Sequence, residues 1–233
     1  MSDVQVEDVS KVYAAGKLEV PALRGVSLEV EEGELAALVG PSGSGKSTLM
    51  HLVGGLDQPT EGRVLVGGTD LARVPSRALA DMRLRTIGFV FQAYNLVPVL
   101  SAAENVEFVL ELQGVSRRER RKRALEVLAE VGLQELAGRR PAEMSGGQQQ
   151  RVAVARAIVG RPALVLADEP TANLDSKTGE ELLELMERLN RDRGVTFLFA
   201  THDPKVMAHA RRIVTLVDGR IERDDERQEG APE

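Results

Sequence analysis

Residues 40–47, GPSGSGKS, have the composition and spacing of a phosphate-binding loop, matching the pattern G-x-x-x-x-G-K-[ST]. An apolar run that predicts a buried strand precedes them, and a run that predicts a helix follows. Glycines let backbone N–H groups turn inward around phosphate oxygens, and the helix N-terminus adds a positive dipole end. Lys46 can reach the β- and γ-phosphates, and Ser47 can ligate Mg²⁺. The alternative, an incidental glycine-rich turn, leaves the lysine and both flanking elements unexplained.

Two carboxylates end a second apolar run, residues 163–169 (ALVLADE). A buried strand here delivers both side chains to the edge of a sheet, beside the glycine-rich segment. Asp168 can hold Mg²⁺ directly or through water, and Glu169 can polarise a water for attack on the γ-phosphate. An acidic helix cap or turn is the alternative for an Asp-Glu pair alone.

Two more polar residues end apolar runs. His202 ends FLFATH and could hydrogen-bond the γ-phosphate or the attacking water, whereas His51 and His209 are interpreted as structural. Gln92 ends IGFVFQ and could reach Mg²⁺ or the water through its amide. From the residue alone, an ordinary polar strand end is favoured for Gln92.

The segment MSGGQQQ, residues 144–150, has no acid, base, thiol or metal ligand, so its own residues assign it no chemistry.

Predicted strands alternate with predicted helices along the chain, and these elements must position the residues above. This alternation predicts a mostly parallel sheet with reactive groups at the strands' carboxyl ends. Residues 4–13 and 22–34 instead predict antiparallel strands, and Asp218-Gly219 predicts a hairpin turn. Residues 93–160 carry few strand signals and predict an inserted helical lobe, with a capping box from Ser101 to Glu104.

We therefore predict a single domain over residues 1–233. Its core comprises residues 1–92 and 161–223, its helical lobe residues 93–160, and its flexible acidic tail residues 224–233. Within the lobe, the basic run at residues 116–123 (SRRERRKR) favours a solvated helix start, with contact to lipid headgroups or a partner as the alternative.

Composition narrows the class of protein. The chain has no cysteine, which excludes a disulfide framework, thiolate catalysis and cysteine-ligated zinc. A net charge of −6 argues against non-specific nucleic-acid binding. No apolar run approaches the ~20 residues that cross a bilayer, and the N-terminal residues do not resemble a secretory signal. These features fit a cytoplasmic protein.

Six motifs occur in the order and approximate spacing of an ABC-type ATPase nucleotide-binding domain, which the chain resembles over about residues 4–223. They are GPSGSGKST, FVFQ, MSGGQ, LVLADEP, TANLD and ATHD. The resemblance implies an α/β fold: a P-loop NTPase core with a mostly parallel sheet, an N-terminal antiparallel β subdomain and an inserted helical lobe.

The resemblance also implies that ATP and Mg²⁺ bind. Tyr13 is similar to the aromatic residue that stacks on adenine, and Asp175 to the aspartate of a loop that crosses the dimer interface. The family signature corresponds to four residues: Ser145, Gly146, Gly147 and Gln148. The remaining nucleotide-binding positions are Gly40, Pro41, Ser42, Gly43, Ser44, Gly45, Lys46, Ser47 and Thr48.

Catalytic roles follow from the same resemblance. They fall to Glu169, His202, Lys46 and Gln92, and the implied Mg²⁺ ligands are Ser47, Gln92 and Asp168. Every catalytic position matches the family pattern, so hydrolysis is expected. Gln92 is also similar to the loop glutamine that senses nucleotide and faces a membrane partner.

The implied partners are a second copy of the domain in the ATP-bound state and an integral membrane permease, with no nucleic acid. The implied location is the cytoplasmic face of the inner membrane. Two stretches, residues 87–107 (IGFVFQAYNLVPVLSAAENVE) and 199–221 (FATHDPKVMAHARRIVTLVDGRI), resemble the ATPases of lipoprotein-releasing and macrolide-export systems. The alternatives are a cell-division ATPase with a non-transporting membrane partner and a soluble ABC ATPase acting on DNA or ribosomes. A small-molecule P-loop kinase would leave MSGGQQQ without a role.

Overall fold

The structure, a computed structural model, describes residues 2–16 and 18–227. Within these ranges the strands are β1 Ser2–Ala15, β2 Leu18–Glu31, β3 Leu35–Val39, β4 Glu61–Val66, β5 Thr69–Asp70, β6 Ile87–Phe91, β7 Leu164–Asp168, β8 Thr196–Thr201, β9 Arg212–Val217 and β10 Arg220–Glu226. The helices are α1 Lys46–Val53, α2 Ser76–Thr86, α3 Ala102–Leu112, α4 Arg117–Glu130, α5 Gly146–Ile158, α6 Ser176–Arg193 and α7 Pro204–His209. No helix in this part of the chain is long and apolar enough to span a bilayer.

Two sheets carry the fold. The larger has the strand order β10-β9-β3-β8-β7-β6, and its pairs are parallel except for the edge pair β9–β10. The smaller is antiparallel, in the order β2-β1-β4-β5. The prediction of a mostly parallel core sheet with an N-terminal antiparallel part is confirmed.

The parallel strands are buried on both faces because helices and the second sheet cover them. All five residues of β3 (LAALV) and all six of β8 (TFLFAT) are buried. One apolar cluster joins this sheet to α3, α5 and α6, and a second joins it to α1 and the antiparallel sheet. Continuous apolar runs are therefore the expected sequence pattern for these strands.

The hairpin predicted at Asp218-Gly219 is present. Both residues have positive φ (47° and 77°), and Val217 pairs with Arg220 across a two-residue turn. Such turns favour Asp-Gly because both central residues are left-handed.

The predicted tail boundary is wrong. Strand β10 continues to Glu226, so Asp224, Asp225 and Glu226 belong to the sheet. Asp224 accepts two hydrogen bonds from the Arg212 guanidinium, at 2.6 and 2.7 Å, and this ion pair stabilises acidic residues in an edge strand. The part of the predicted tail at residues 228–233 lies outside the described residues.

Helices α3, α4 and α5 occupy the segment interpreted as a helical lobe. Ser101 and Glu104 form the predicted capping box at the start of α3. The basic run begins α4, and its Arg120 and Arg121 form ion pairs with Glu107 of α3. These arginines therefore join two helices in addition to facing solvent.

Helices α2 and α7 were not predicted. Only Leu79 of α2 is buried, so this helix has a weak apolar period. Helix α7 has six residues, and its start was recognisable: Asp203 caps it and Pro204 occupies its first turn.

Candidate functional site

Close backbone approach requires glycine at two positions of the glycine-rich loop, residues 40–47. A Cβ on Gly40 (φ 151°) would lie 2.0 Å from the carbonyl oxygen of Leu216, and one on Gly45 (φ 107°) would lie 2.6 Å from that of Ala22. Larger residues would displace β9 or β2. The loop conformation is thus fixed by the strands beneath it.

Lys46, the first residue of α1, folds its side chain back over the loop. Its Nζ donates to the carbonyl oxygens of Gly40 (2.7 Å) and Pro41 (3.0 Å). Below the loop, the buried Ser44 Oγ has no hydrogen-bond partner within the described residues. The N-cap residue Gly45 offers no side-chain cap, so N–H groups at the start of α1 remain available to an anion.

Asp168 and Ser47 form an oxygen-donor pair beside the loop. Burial, followed by the charge of Glu169, raises the pKa of Asp168, while His51, Lys46 and a hydrogen bond from Ser47 oppose the increase. A carboxylate and a hydroxyl fit Mg²⁺, which accepts a few protein oxygens together with phosphate and water. Within residues 2–16 and 18–227, no group of three or more His, Asp or Glu side chains is placed to hold a metal ion.

Glu169 is oriented by three contacts and by its own backbone. It has a left-handed conformation (φ 46°), and its N–H donates to the carbonyl oxygen of Ala200. Its Oε1 lies 2.6 Å from Nδ1 of His202, and its Oε2 accepts from Thr201 Oγ1 at 3.0 Å. The carboxylate is partly buried, whereas the His202 side chain is 74% exposed. Non-glycine residues in this backbone region concentrate at functional sites.

One cavity of about 520 Å³ collects most of the residues singled out in the sequence. The order of the sheet explains this, because β7 pairs with β8 and β8 with β3, so their carboxyl ends share one edge. The lining residues are Ala22, Pro41, Ser42, Gly43, Gly45, Lys46, Ser47, Thr48, Gln92, Asp168, Glu169, Ala172 and His202.

Tyr13 does not line this cavity. Its hydroxyl donates to Asp57 Oδ2 at 2.9 Å, and Lys11 Nζ lies 4.9 Å from its ring centroid. Lys11 also donates to Asp57 Oδ1 at 2.8 Å. Tyr13 is 38% exposed. Sequence reasoning missed Asp57 and Lys11, since neither belongs to a motif.

The signature segment, Ser145, Gly146, Gly147 and Gln148, also lies outside the cavity lining. Ser145 Oγ accepts from the Gln148 N–H at 3.3 Å, and Gln148 Oε1 accepts from the Ser145 N–H at 3.0 Å, forming a capping box on α5. Gly147 is buried against α6, where an added Cβ would meet Thr178 Cγ2 at 2.2 Å.

Asp175 caps α6. Its Oδ1 accepts from the N–H groups of Lys177 and Thr178, and its Oδ2 accepts from Thr178 Oγ1 at 2.6 Å. The Thr178 hydrogen bonds lower the pKa of this exposed carboxyl, which stays ionised. Thr178 thus contacts both the Asp175 cap and Gly147 of the signature segment.

Comparison with protein families agrees with this geometry. The family model described as ABC transporter matches residues 23–172, more than half of the chain. The chain belongs to the ABC transporter ATP-binding family. It is the ATP-hydrolysing subunit of an ABC transporter.

Relatives match this ABC ATPase over nearly its whole length. An uncharacterized ABC transporter ATP-binding protein of Thermotoga maritima is 52% identical, over 94% of this chain and 93% of the relative. The lipoprotein-releasing system ATP-binding protein LolD of Geobacter metallireducens is 50% identical, over 95% and 98%. The macrolide export ATP-binding/permease protein MacB of Syntrophobacter fumaroxidans is 49% identical over 95% of this chain, which spans 31% of that longer protein.

Solved structures share the fold. The dimeric structure of a post-hydrolysis state of the ATP-binding cassette MJ0796, bound to ADP and Pi, superposes with a TM-score of 0.88 at 44% identity. It covers 97% of this chain and 99% of its own. The P-loop ATPase fold expected for this ABC ATPase is therefore confirmed.

Proposed function

We propose that this ABC ATPase hydrolyses MgATP in sites shared between two copies of the chain. One observation carries the proposal: the cavity gathers the glycine-rich loop, the carboxylates, Gln92 and His202, but none of the four signature residues. A second copy related by a two-fold axis would bring its signature segment to the γ-phosphate, giving two equivalent sites. The dimeric form of MJ0796 supports this arrangement.

In each site the glycine-rich loop would cradle the phosphates with its N–H groups and the start of α1. Lys46 would exchange its two carbonyl partners for β- and γ-phosphate oxygens. Ser47, Asp168 and Gln92 would hold Mg²⁺, which when bound neutralises charge on the phosphates. Tyr13, positioned by Asp57 and Lys11, would stack on adenine.

Glu169 is proposed as the general base. Its partly buried carboxylate would accept a proton from a water aligned with the γ-phosphorus, and Thr201 holds its second oxygen in place. His202 contacts the first oxygen directly, so this bond would have to lengthen to admit the water or the phosphate. His202 is exposed and can make that movement.

The membrane partner would dock in an apolar cleft of about 650 Å³ between α2, β6, α3 and α5. Phe89, Phe91, Val109 and Leu112 contribute apolar walls, and Asp81 and Arg83 contribute charge. Phe91 of this cleft immediately precedes Gln92, so a segment inserted into the cleft could affect the nucleotide site. Docking of a membrane partner in the cleft would place the protein on the cytoplasmic face of the inner membrane.

An export-type role is proposed, with lipoprotein release or macrolide export as the model. Relatives named for these two systems support it, each about half identical over nearly all of this chain. A cell-division ATPase with a non-transporting membrane partner is the alternative. Recovery of the membrane partner by affinity purification from detergent-solubilised membranes separates the two according to the partner's identity.

Glu169→Gln tests the catalytic assignment. The amide cannot accept the proton, so we expect hydrolysis to fall ~10²-fold or more and an ATP-bound dimer to accumulate. Light scattering after size exclusion with saturating MgATP gives the oligomeric state, and phosphate release gives the rate. Glu184→Gln, on the exposed face of α6, is the matched control. A monomeric Glu169→Gln protein that hydrolyses ATP at the wild-type rate contradicts the assignment.

A further inference from the structure

Two consecutive non-glycine residues after Gln92 have left-handed backbone conformations. Tyr94 has φ 58° and Asn95 has φ 50°. An isolated residue of this kind is uncommon outside glycine, and asparagine tolerates it better than tyrosine does. A pair persists only where the surrounding structure holds it.

Arg156 of α5 supplies that support. Its Nη2 donates to the carbonyl oxygen of Tyr94 at 2.8 Å, and its Nη1 donates to that of Asn95. Arg156 is partly buried, and both hydrogen bonds are charge-assisted because the donor is a guanidinium cation. One side chain from the helix that carries the signature segment thus fixes the turn that follows Gln92.

The Tyr94 side chain returns to the signature segment. A Cβ built on Gly146 would lie 2.8 Å from the Tyr94 hydroxyl oxygen, so that hydroxyl rests against the first residue of α5. The same oxygen lies 3.5 Å from the carbonyl oxygen of Asn173, at the outer limit of a hydrogen bond. Asn173 in turn donates from Nδ2 to the carbonyl oxygen of Gln92 at 2.8 Å.

The opposite side of this cluster faces the apolar cleft. Asn95 and Arg156 both line the cleft, whereas Tyr94 does not. A segment that enters the cleft would therefore contact the residues that hold the turn. Any change in the turn would move the hydroxyl that rests on Gly146.

We propose that Arg156 and Tyr94 are positioning residues that set the orientation of the signature segment: Arg156 holds the turn after Gln92, and Tyr94 transmits that position to Gly146. The inference rests on the proposed two-copy site, in which the signature segment of one chain meets the γ-phosphate held by the other. Neither residue lines the cavity beside the glycine-rich loop. Both act through Gly146.

Arg156→Met tests the inference in the Glu169→Gln background. Methionine has a similar length and suits the apolar cleft, but it donates no hydrogen bond to the turn. We expect the MgATP concentration for half-maximal dimer formation to rise about tenfold, within the usual range of coupling between two sites. Affinity for ADP should change by less than about twofold, because ADP lacks the phosphate that a partner's signature segment would meet.

A second substitution separates positioning from packing. Glycine adopts a left-handed conformation without the side-chain penalty, so Asn95→Gly should restore about half of the lost dimer formation in the Arg156→Met protein. Tyr94→Phe, which removes only the hydroxyl, should raise the half-maximal concentration about threefold. Arg188→Met, on the exposed part of α6, is the matched control and should change nothing.

The outcomes are distinct. A tenfold rise, unchanged ADP affinity and rescue by Asn95→Gly would support the inference. Equal dimer formation by the Arg156→Met and parent proteins would overturn it while leaving the two-copy site intact. If Arg156→Met does not fold, the Tyr94→Phe result decides, and unchanged dimer formation overturns the inference. Failure of the parent Glu169→Gln protein to dimerise would overturn the two-copy site, and the inference with it.

Discussion

Glycines lie at the starts of both α1 and α5, yet the two helix starts are built in opposite ways. Helix α1 has Gly45 as its N-cap, with no side-chain cap, and lies at the cavity. Helix α5 has Ser145 as its N-cap, with a complete capping box, and lies outside the cavity lining. An uncapped helix start keeps its donors for a ligand, whereas a capped one already satisfies part of its own.

The glycines at the two helix starts also differ in what they allow. An added Cβ on Gly43 of the loop would meet no atom within 4 Å, although its φ of 81° disfavours other residues. Gly147 has ordinary helical geometry but is packed against Thr178. At Gly43 the loop therefore uses glycine for backbone direction alone, whereas Gly40 and Gly45 are also needed for close approach to neighbouring strands. The signature segment uses Gly147 for the close packing of α5 against α6.

The strongest test of this contrast is Lys46→Met. The loop would lose the side chain that donates to the carbonyl oxygens of Gly40 and Pro41, and bound phosphates would lose the positive charge of Lys46. We expect ATP hydrolysis to fall ~10³-fold and nucleotide binding by the monomer to be largely lost. Phosphate release and calorimetric titration measure the two effects. Lys122→Met, on the exposed face of α4, is the control, and retained binding in Lys46→Met would contradict the assigned site.

Ser145→Arg should distinguish the role of the α5 start from that of the α1 start. A long cation in the signature segment would block the approach of a second copy, so we expect turnover to fall ~10²-fold with monomer nucleotide binding nearly intact. Ser101→Arg is the matched control, because it removes an equivalent capping box from α3. If Ser145→Arg also abolishes nucleotide binding by the monomer, the signature segment does not act from the second copy.

Gly147→Ala tests close packing. The new Cβ would clash with Thr178 Cγ2, and we expect the free energy of unfolding to fall by about 2 kcal/mol. Thr178→Ser removes that methyl group and keeps the hydroxyl bonded to Asp175, so the double variant should recover most of the loss. Chemical denaturation measures both values. Gly138→Ala, where nothing lies within 4 Å, should have little effect. An absence of recovery would mean that another contact restricts Gly147.

The smallest expected effect concerns His209, which lies away from both helix starts. Burial, the largest single influence, lowers its pKa, but hydrogen bonds and charges from Glu180 and Glu187 together raise it above the usual value. The raised pKa means that this stabilisation is fully present below about pH 6.5 and is lost as pH rises through the folded-state pKa.

We therefore expect wild type to exceed His209→Gln in free energy of unfolding by up to about 1 kcal/mol at pH 6, with a smaller difference at pH 9. Urea denaturation at both pH values measures this. A difference that is equal at the two values would show that His209 acts through packing and not through its charge.

Much of the fold followed from local signals. The apolar run LAALV predicted a buried strand, and Asp218-Gly219 predicted the hairpin. The capping box at Ser101 marked a helix start. Such features depend on residues within one turn or strand, so a linear pattern contains them. The tail boundary failed because Asp224 is held by Arg212, twelve residues earlier, on a neighbouring strand.

The sequence by itself determined which residues are suited to the chemistry: the glycine-rich loop with Lys46, and the carboxylates and histidine that end buried strands. Only the tertiary structure decided their contacts. The pairing of β7, β8 and β3 brings Glu169 against His202, and the packing of α5 and α6 brings Thr178 against Gly147. The turn held by Arg156 puts Tyr94 against Gly146. These contacts join residues that are 31 or more positions apart, and no local period or spacing specifies such pairs.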